Sequence, residues 1–385
     1  MKNKTKKKSI SWQKFIGMAC MVLLGVALGY VLGYTTVDIL DMAAVDENVS
    51  GSGLIRTWIF VPVVLCVSIV FQTILHEAGH LVFGLLSGYK FSSFRIFSLM
   101  WVKENEKIAL KLYSLAGTVG QCLMSPPDMV NGKIPFVLFN LGGVIVNIVS
   151  GIVFLLLHFV LKGFGYVSAV MLVFSFAGFV MALMNGLPMN TGTVSNDGYN
   201  TVSIKGNKAA MRSFWIQMKI TEQLSKGIRI KDMSAQWFAV PSDEDMKNGM
   251  ASVMGVFACN RLIDELRFTE ADKLMAHILE IDSGIIALHR NLLLCDRAYV
   301  EMIGENRNEV LNGILTKDVW KLIRNMKKFP TVLRTEYVYS LLVLKDSKKA
   351  EKIKRNFEKI ALKYPYPQDI EAERELMAIS EQKSV

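Results

Sequence analysis

Apolar and polar positions follow two regimes along this chain. Four long apolar runs occupy its first half, at residues 15–37, 54–86, 134–161 and 166–187. Each is as long as the roughly 20 residues a helix needs to cross bilayer hydrocarbon, so about four spanning helices are expected. Between the second and third runs, two apolar stretches rich in β-formers, 94–102 and 108–115, flank a polar turn at 103–107 and predict a β-hairpin. From about residue 203 the runs shorten, and Lys, Arg, Glu and Asp become frequent. Apolar residues there recur at helical spacing over 257–281, 288–310 and 336–362. The expected fold is an all-α polytopic membrane protein with a hairpin loop and a soluble α-helical domain. It divides into an anchor with an external loop (1–53), a membrane core (54–202) and the helical domain (203–385).

Charge orients this arrangement. Hydrophobic residues make up 51% of the 385 and mean hydropathy is positive, high for a soluble protein. The formal net charge of +10 is unevenly placed. Five lysines fall within residues 1–8, whereas 35–53 carries Asp38, Asp41, Asp46 and Glu47 with no Lys or Arg. By the positive-inside rule the amino terminus is cytoplasmic and the first loop external. The segment 88–133, with Lys90, Arg95, Lys103, Lys107, Lys111 and Lys133, returns to the cytoplasm, as does the helical domain. The expected location is a bacterial cell membrane, and this distribution of charge speaks for topology rather than nucleic-acid binding. A secretory signal also begins with basic residues, but its apolar region runs about 7–15 residues, so the longer run here reads as an anchor. Gly25, Gly29 and Gly33 recur every four positions in it, as close helix packing requires. Cys20, Cys66, Cys122, Cys259 and Cys295 show no paired metal spacing and no disulfide framework.

One ionisable cluster interrupts the second run, His76-Glu77-Ala78-Gly79-His80. Histidines four apart on a helix share a face. There two imidazoles can grip Zn²⁺, and the glutamate beside the first can take a proton from the attacking water. The pattern is short enough to arise by chance, and its surroundings decide. Glu77 is the only acidic residue from 54 to 102, and an ionisable group at membrane depth is costly enough to imply function. Catalytic zinc needs a third protein ligand. Asp197, the one carboxylate between Asp128 and Glu222, leads, although Asn196-Asp197-Gly198 would also make an ordinary turn. His158 competes from within a span, where it also suits a helix interface.

These residues, with Gly143-x-x-x-Asn147, Asn185-x-x-Pro188 and Asp197-Gly198, resemble the site-2 proteases, which are intramembrane zinc metalloproteases. The resemblance covers residues 54–200. It implies zinc on His76, His80 and Asp197, with Glu77 as general base. It also implies contacts to substrate from Asn147 and Asn185, and a membrane-associated hairpin whose edge an extended substrate could join. In the common form of the motif the aspartate follows the proline more closely, whereas here residues 189–196 intervene. A buried asparagine in a span can equally bond a neighbouring helix, and a surface hairpin need have no substrate role.

The expected activity is hydrolysis of a peptide bond in or near a membrane segment of a protein or peptide precursor. Another metalloprotease type, with a downstream glutamate as third ligand, is disfavoured because the third and fourth runs contain no glutamate. The non-enzymatic alternative is a catalytically inactive scaffold that acts through its helical domain. That domain loosely resembles tetratricopeptide-type hairpins, with Ala271, Ala276 and Ala350 where paired helices approach, though its period is irregular. It shows no catalytic constellation, and a protein partner is expected for it. His277 and His289 read as structural or exposed.

Overall fold

A computed structural model describes residues 51–104, 107–113, 119–189 and 195–383, together with isolated helical positions between Leu23 and Val37. The rest of the proposed anchor at 15–37 and most of the acidic loop after it lie outside the described residues. The chain divides into two compact units, and residues 84–136 fold with the carboxy-terminal helices rather than with the spans on either side of them.

The first unit is built on three long helices, α1 (Gly51–Leu86), α2 (Val137–Val160) and α3 (Gly165–Gly186). Among the described residues, three segments are long and apolar enough to cross a membrane: Ile59–Leu86, Val137–Val160 and Lys162–Gly186. They coincide with the second to fourth apolar runs. Val63, Val67, Ile152, Leu156 and Phe159 are exposed on their outer surfaces, as helices in hydrocarbon require. Polar side chains instead turn inward and bond across the bundle; Ser175 Oγ, for instance, donates to the Gly151 carbonyl at 2.7 Å. Glycine permits one close approach. A Cβ on Gly79 would sit 2.4 Å from the Gly142 carbonyl oxygen, so α1 and α2 meet backbone to backbone.

The second unit opens with four strands, β1 (Lys90–Ile96), β2 (Leu99–Glu104), β3 (Lys107–Leu112) and β4 (Gly120–Ser125). They form one antiparallel sheet in the order β3-β2-β1-β4. The expected hairpin is thus the β2–β3 half of a larger sheet. The run 94–102 is not one strand, because it reverses at Phe97, whose φ of 51° places it in the left-handed region. One sheet face buries Met100 and Val102; Leu99, Trp101, Leu110 and Leu112, on the other, are exposed.

Helices α4 (Asp197–Ile204) and α5 (Lys208–Ser225) follow the last span, and β2 and β4 pack on α5. The Trp215 indole N–H donates to the Pro127 carbonyl at 2.9 Å, and Tyr113 and Tyr364 meet edge to face at 5.6 Å. The remaining helices are α6 (Gly249–Asp264), α7 (Phe268–Glu280), α8 (Ala287–Ile303), α9 (Asn308–Ile314), α10 (Lys317–Asn325), α11 (Pro330–Val338), α12 (Ser347–Ala361) and α13 (Pro367–Gln382). Their core includes Met275, Leu293, Tyr299, Val332 and Phe357. Each of the three long helices expected here is broken in two. The breaks lie at Leu266, Asn306 and Lys345, non-glycine residues with φ of 59°, 53° and 53°. Among the described residues, Cys66, Cys122, Cys259 and Cys295 are free.

Candidate metal centre

Two elements of the first unit carry the three expected ligands. His76 and His80 lie one turn apart on α1, and Asp197 opens α4. His76 Nε2 stands 3.2 Å from His80 Nε2 and 3.0 Å from Asp197 Oδ2. His80 Nε2 lies 3.4 Å from the same oxygen. Tetrahedral zinc with bonds of about 2.0–2.1 Å separates its ligand atoms by about 3.3 Å, so this triangle has the size of one tetrahedral face.

Both imidazoles are held from behind. His76 Nδ1 donates to Asn147 Oδ1 at 2.7 Å, and His80 Nδ1 donates to the Phe139 carbonyl at 2.8 Å. These acceptors fix the proton on Nδ1 and leave each Nε2 lone pair aimed at the other. Such lone pairs repel unless a cation lies between them. The donor set of two neutral imidazole nitrogens and one carboxylate fits zinc.

Asn147 is fully buried, and its amide protons go to Gln72, one to the carbonyl at 3.0 Å and one to Oε1 at 2.9 Å. Gln72 Nε2 in turn donates to the Phe174 carbonyl at 3.0 Å. A hydrogen-bond chain thus runs from α3 through α1 to α2 and ends on His76. In this arrangement Asn147 has no amide proton left for a substrate carbonyl and serves to orient His76. Gly143, one turn before Asn147, makes room for the ring, since a Cβ there would lie 2.6 Å from His76 Nδ1.

The residues intervening before Asp197 are bridged by Asn196. Its Oδ1 accepts the Tyr199 N–H at 2.9 Å, capping α4. The same oxygen accepts the Met189 N–H at 3.1 Å, and Nδ2 donates to the Met184 and Leu187 carbonyls. Gly198 lies against the Gly186 carbonyl so closely that no Cβ fits. The start of α4 is thereby clasped to the end of α3, and Asp197 reaches the histidines despite the longer connection.

The other expected residues take different places. Glu77 follows His76 and is buried, with 8% of its surface exposed. Asn185 donates to the Met181 carbonyl at 3.0 Å, one turn back in its own helix, and no hydrogen bond links it to the ligand triangle. His158 Nδ1 bonds Ser168 Oγ at 2.9 Å between α2 and α3, the helix-interface role. Gln72 and Asn196 were not singled out by sequence. Gln72 does precede His76 by one helical turn, and Asn196 stands at a favoured capping position before the aspartate. No family model, curated protein or solved structure matches the chain.

Proposed function

We propose that the chain is an integral membrane zinc metalloendopeptidase, similar to the site-2 proteases, that cleaves a protein or peptide precursor in or near its membrane segment. The observation that carries this reading is the convergence of two Nδ1-protonated histidines and one carboxylate on a triangle of zinc dimensions, with both histidines on a helix fit to span a bilayer.

Zinc, when bound, would polarise the scissile carbonyl and make water acidic near neutral pH. His76, His80 and Asp197 would hold it, with Asn147 and the Phe139 carbonyl fixing the imidazole tautomers. Glu77 accepts the proton of the attacking water and delivers it to the amine nitrogen as the C–N bond breaks. A helical substrate keeps its carbonyls in i→i−4 bonds, so cleavage requires local unwinding. The outer strand β3, with Ile108, Leu110 and Leu112 exposed along it, offers an edge that an extended peptide can join. The charge asymmetry of the loops supports a topology with the helical domain on the cytoplasmic side of what we take to be a bacterial cell membrane.

Metal analysis of the purified full chain tests the reading. It should retain one zinc per chain, as should His158→Ala, whereas Asp197→Ala should lose zinc and turnover together. A chain that binds no zinc after purification and reconstitution overturns the reading and leaves a membrane scaffold. Comparing membrane proteomes with and without an active copy identifies the substrate.

A further inference from the structure

Within the helical domain, α5, α6, α8, α11 and α13 line a cavity of about 320 Å³, and an unusual set of charged groups faces it. Arg334 is fully buried there. Its Nη2 donates to Asp296 Oδ1 at 2.5 Å, its Nε lies 3.2 Å from Glu373 Oε2, and the guanidinium stands over the Tyr299 ring at 4.5 Å. Arg334 Nη1 has no hydrogen-bond partner, nor do Gln368 Oε1 and His289 Nδ1, all three buried atoms. A folded core leaves only a few such atoms unpaired per hundred residues, and here these three belong to residues lining a single cavity.

The charges around the cavity do not balance. Arg229 is taken up by Asp264, with 2.5 Å between Nη2 and Oδ1, and Arg334 is shared by Asp296 and Glu373. Asp369 is left over, and its carboxylate accepts no hydrogen bond. Burial, with Glu373 and Asp264 nearby and Arg229 opposing, pushes its pKa up to about 7. Val256, Phe257, Leu292 and Leu376 supply apolar wall.

We propose that this cavity binds a primary ammonium group carried on an apolar chain, with Asp369 taking the charge. Two sources have that chemistry, the free amino terminus of an apolar peptide and a small alkylamine. The unpartnered Arg334 Nη1 and Gln368 Oε1 favour the peptide, because its first residue presents a carbonyl and an amide N–H beside the ammonium. The volume is at the small end of the about 300–1,000 Å³ usual for ligand sites, which suits a peptide end. The inference is independent of the zinc reading, and its test measures binding, not hydrolysis.

The experiment is calorimetric titration of the purified full-length chain, above neutral pH, with three probes: leucyl-phenylalanine amide, its N-acetyl form, and isoamylamine. The free dipeptide amide should bind, and acetylation should weaken it at least about tenfold, as expected when a buried charge pair is lost. Isoamylamine binding as tightly as the dipeptide amide upholds the ammonium site and assigns a small amine as its source; weaker binding assigns the peptide. Asp369→Asn removes a carboxylate that nothing in the fold pairs, so the variant should unfold no earlier than the parent while losing at least about tenfold in affinity. Equal binding of the free and acetylated dipeptides, or no binding of either, overturns the proposal whatever the variant does. So does full affinity in Asp369→Asn.

Discussion

Asn147 Oδ1 and His76 Nδ1 lie 2.7 Å apart across the junction of two spanning helices, and this bond decides which nitrogen of His76 faces the proposed metal. Removing the acceptor in Asn147→Ala should lower zinc affinity by about 10–100-fold, the usual effect of losing a partner behind a metal ligand. Competition with a chelator of known affinity measures it. Unchanged zinc affinity with reduced turnover would instead return Asn147 to a substrate role.

Glu77→Gln keeps the size of the side chain but removes its basic oxygen. Zinc content should be unchanged while turnover falls by about 10²–10⁴-fold, the range for lost acid–base help. Single-turnover cleavage of the identified substrate is the measurement, and near-parental rates would exclude Glu77 as the base.

Gly143→Ala drives a methyl group into the His76 ring. Overpacking of this kind costs about 1–3 kcal/mol, and here it should also displace a ligand. Unfolding in detergent and zinc titration should both report the loss. Gly163→Ala, where a Cβ meets nothing within 4 Å, should leave zinc affinity intact.

Asn196→Ala removes the α4 cap, at about 0.5–2 kcal/mol, and releases the start of α4 from the end of α3. Asn196→Asp keeps the acceptors but replaces both amide donors. Both variants should bind zinc more weakly; parental affinity in Asn196→Asp would confine the role to capping.

Asp369 makes the helical domain sensitive to pH. Its folded pKa, raised to about 7 chiefly by burial, exceeds the about 3.9 of an unfolded aspartate. The folded state therefore holds a proton that the unfolded state gives up. The resulting stability is present below about pH 4 and is lost as pH rises through about 7. The melting temperature of the domain should fall between pH 5 and 8, and Asp369→Asn should flatten that slope. Calorimetry across the range, with and without the substitution, checks it.

The spans were legible because twenty apolar residues in a row have few other solutions, and His76, His80 and Asp197 were legible because charge there is rare. The breaks in the later helices were not. Leu266 and Lys345 adopt left-handed backbone without being glycine, so nothing in the local composition announces the turn. Phe97 hides the β1–β2 reversal in the same way. Hydrogen-bond partners were the least readable level, since whether Asn147 meets a substrate or His76 depends on how three helices cross.

The clasp at Asn196 makes distance along the chain a poor gauge of distance in space. Met189 and Asn196 are tied to each other by the bond from the Met189 N–H and by that from the Asn196 N–H to the Met189 carbonyl at 3.3 Å. These bonds hold Met189 and Asn196 side by side, seven positions apart in sequence. Lengthening a flexible loop twofold costs only about 0.6 kcal/mol in closure entropy. An epitope or fluorescent tag inserted between Met189 and Asn196 would therefore report on the protein in place while leaving Asp197 at its station.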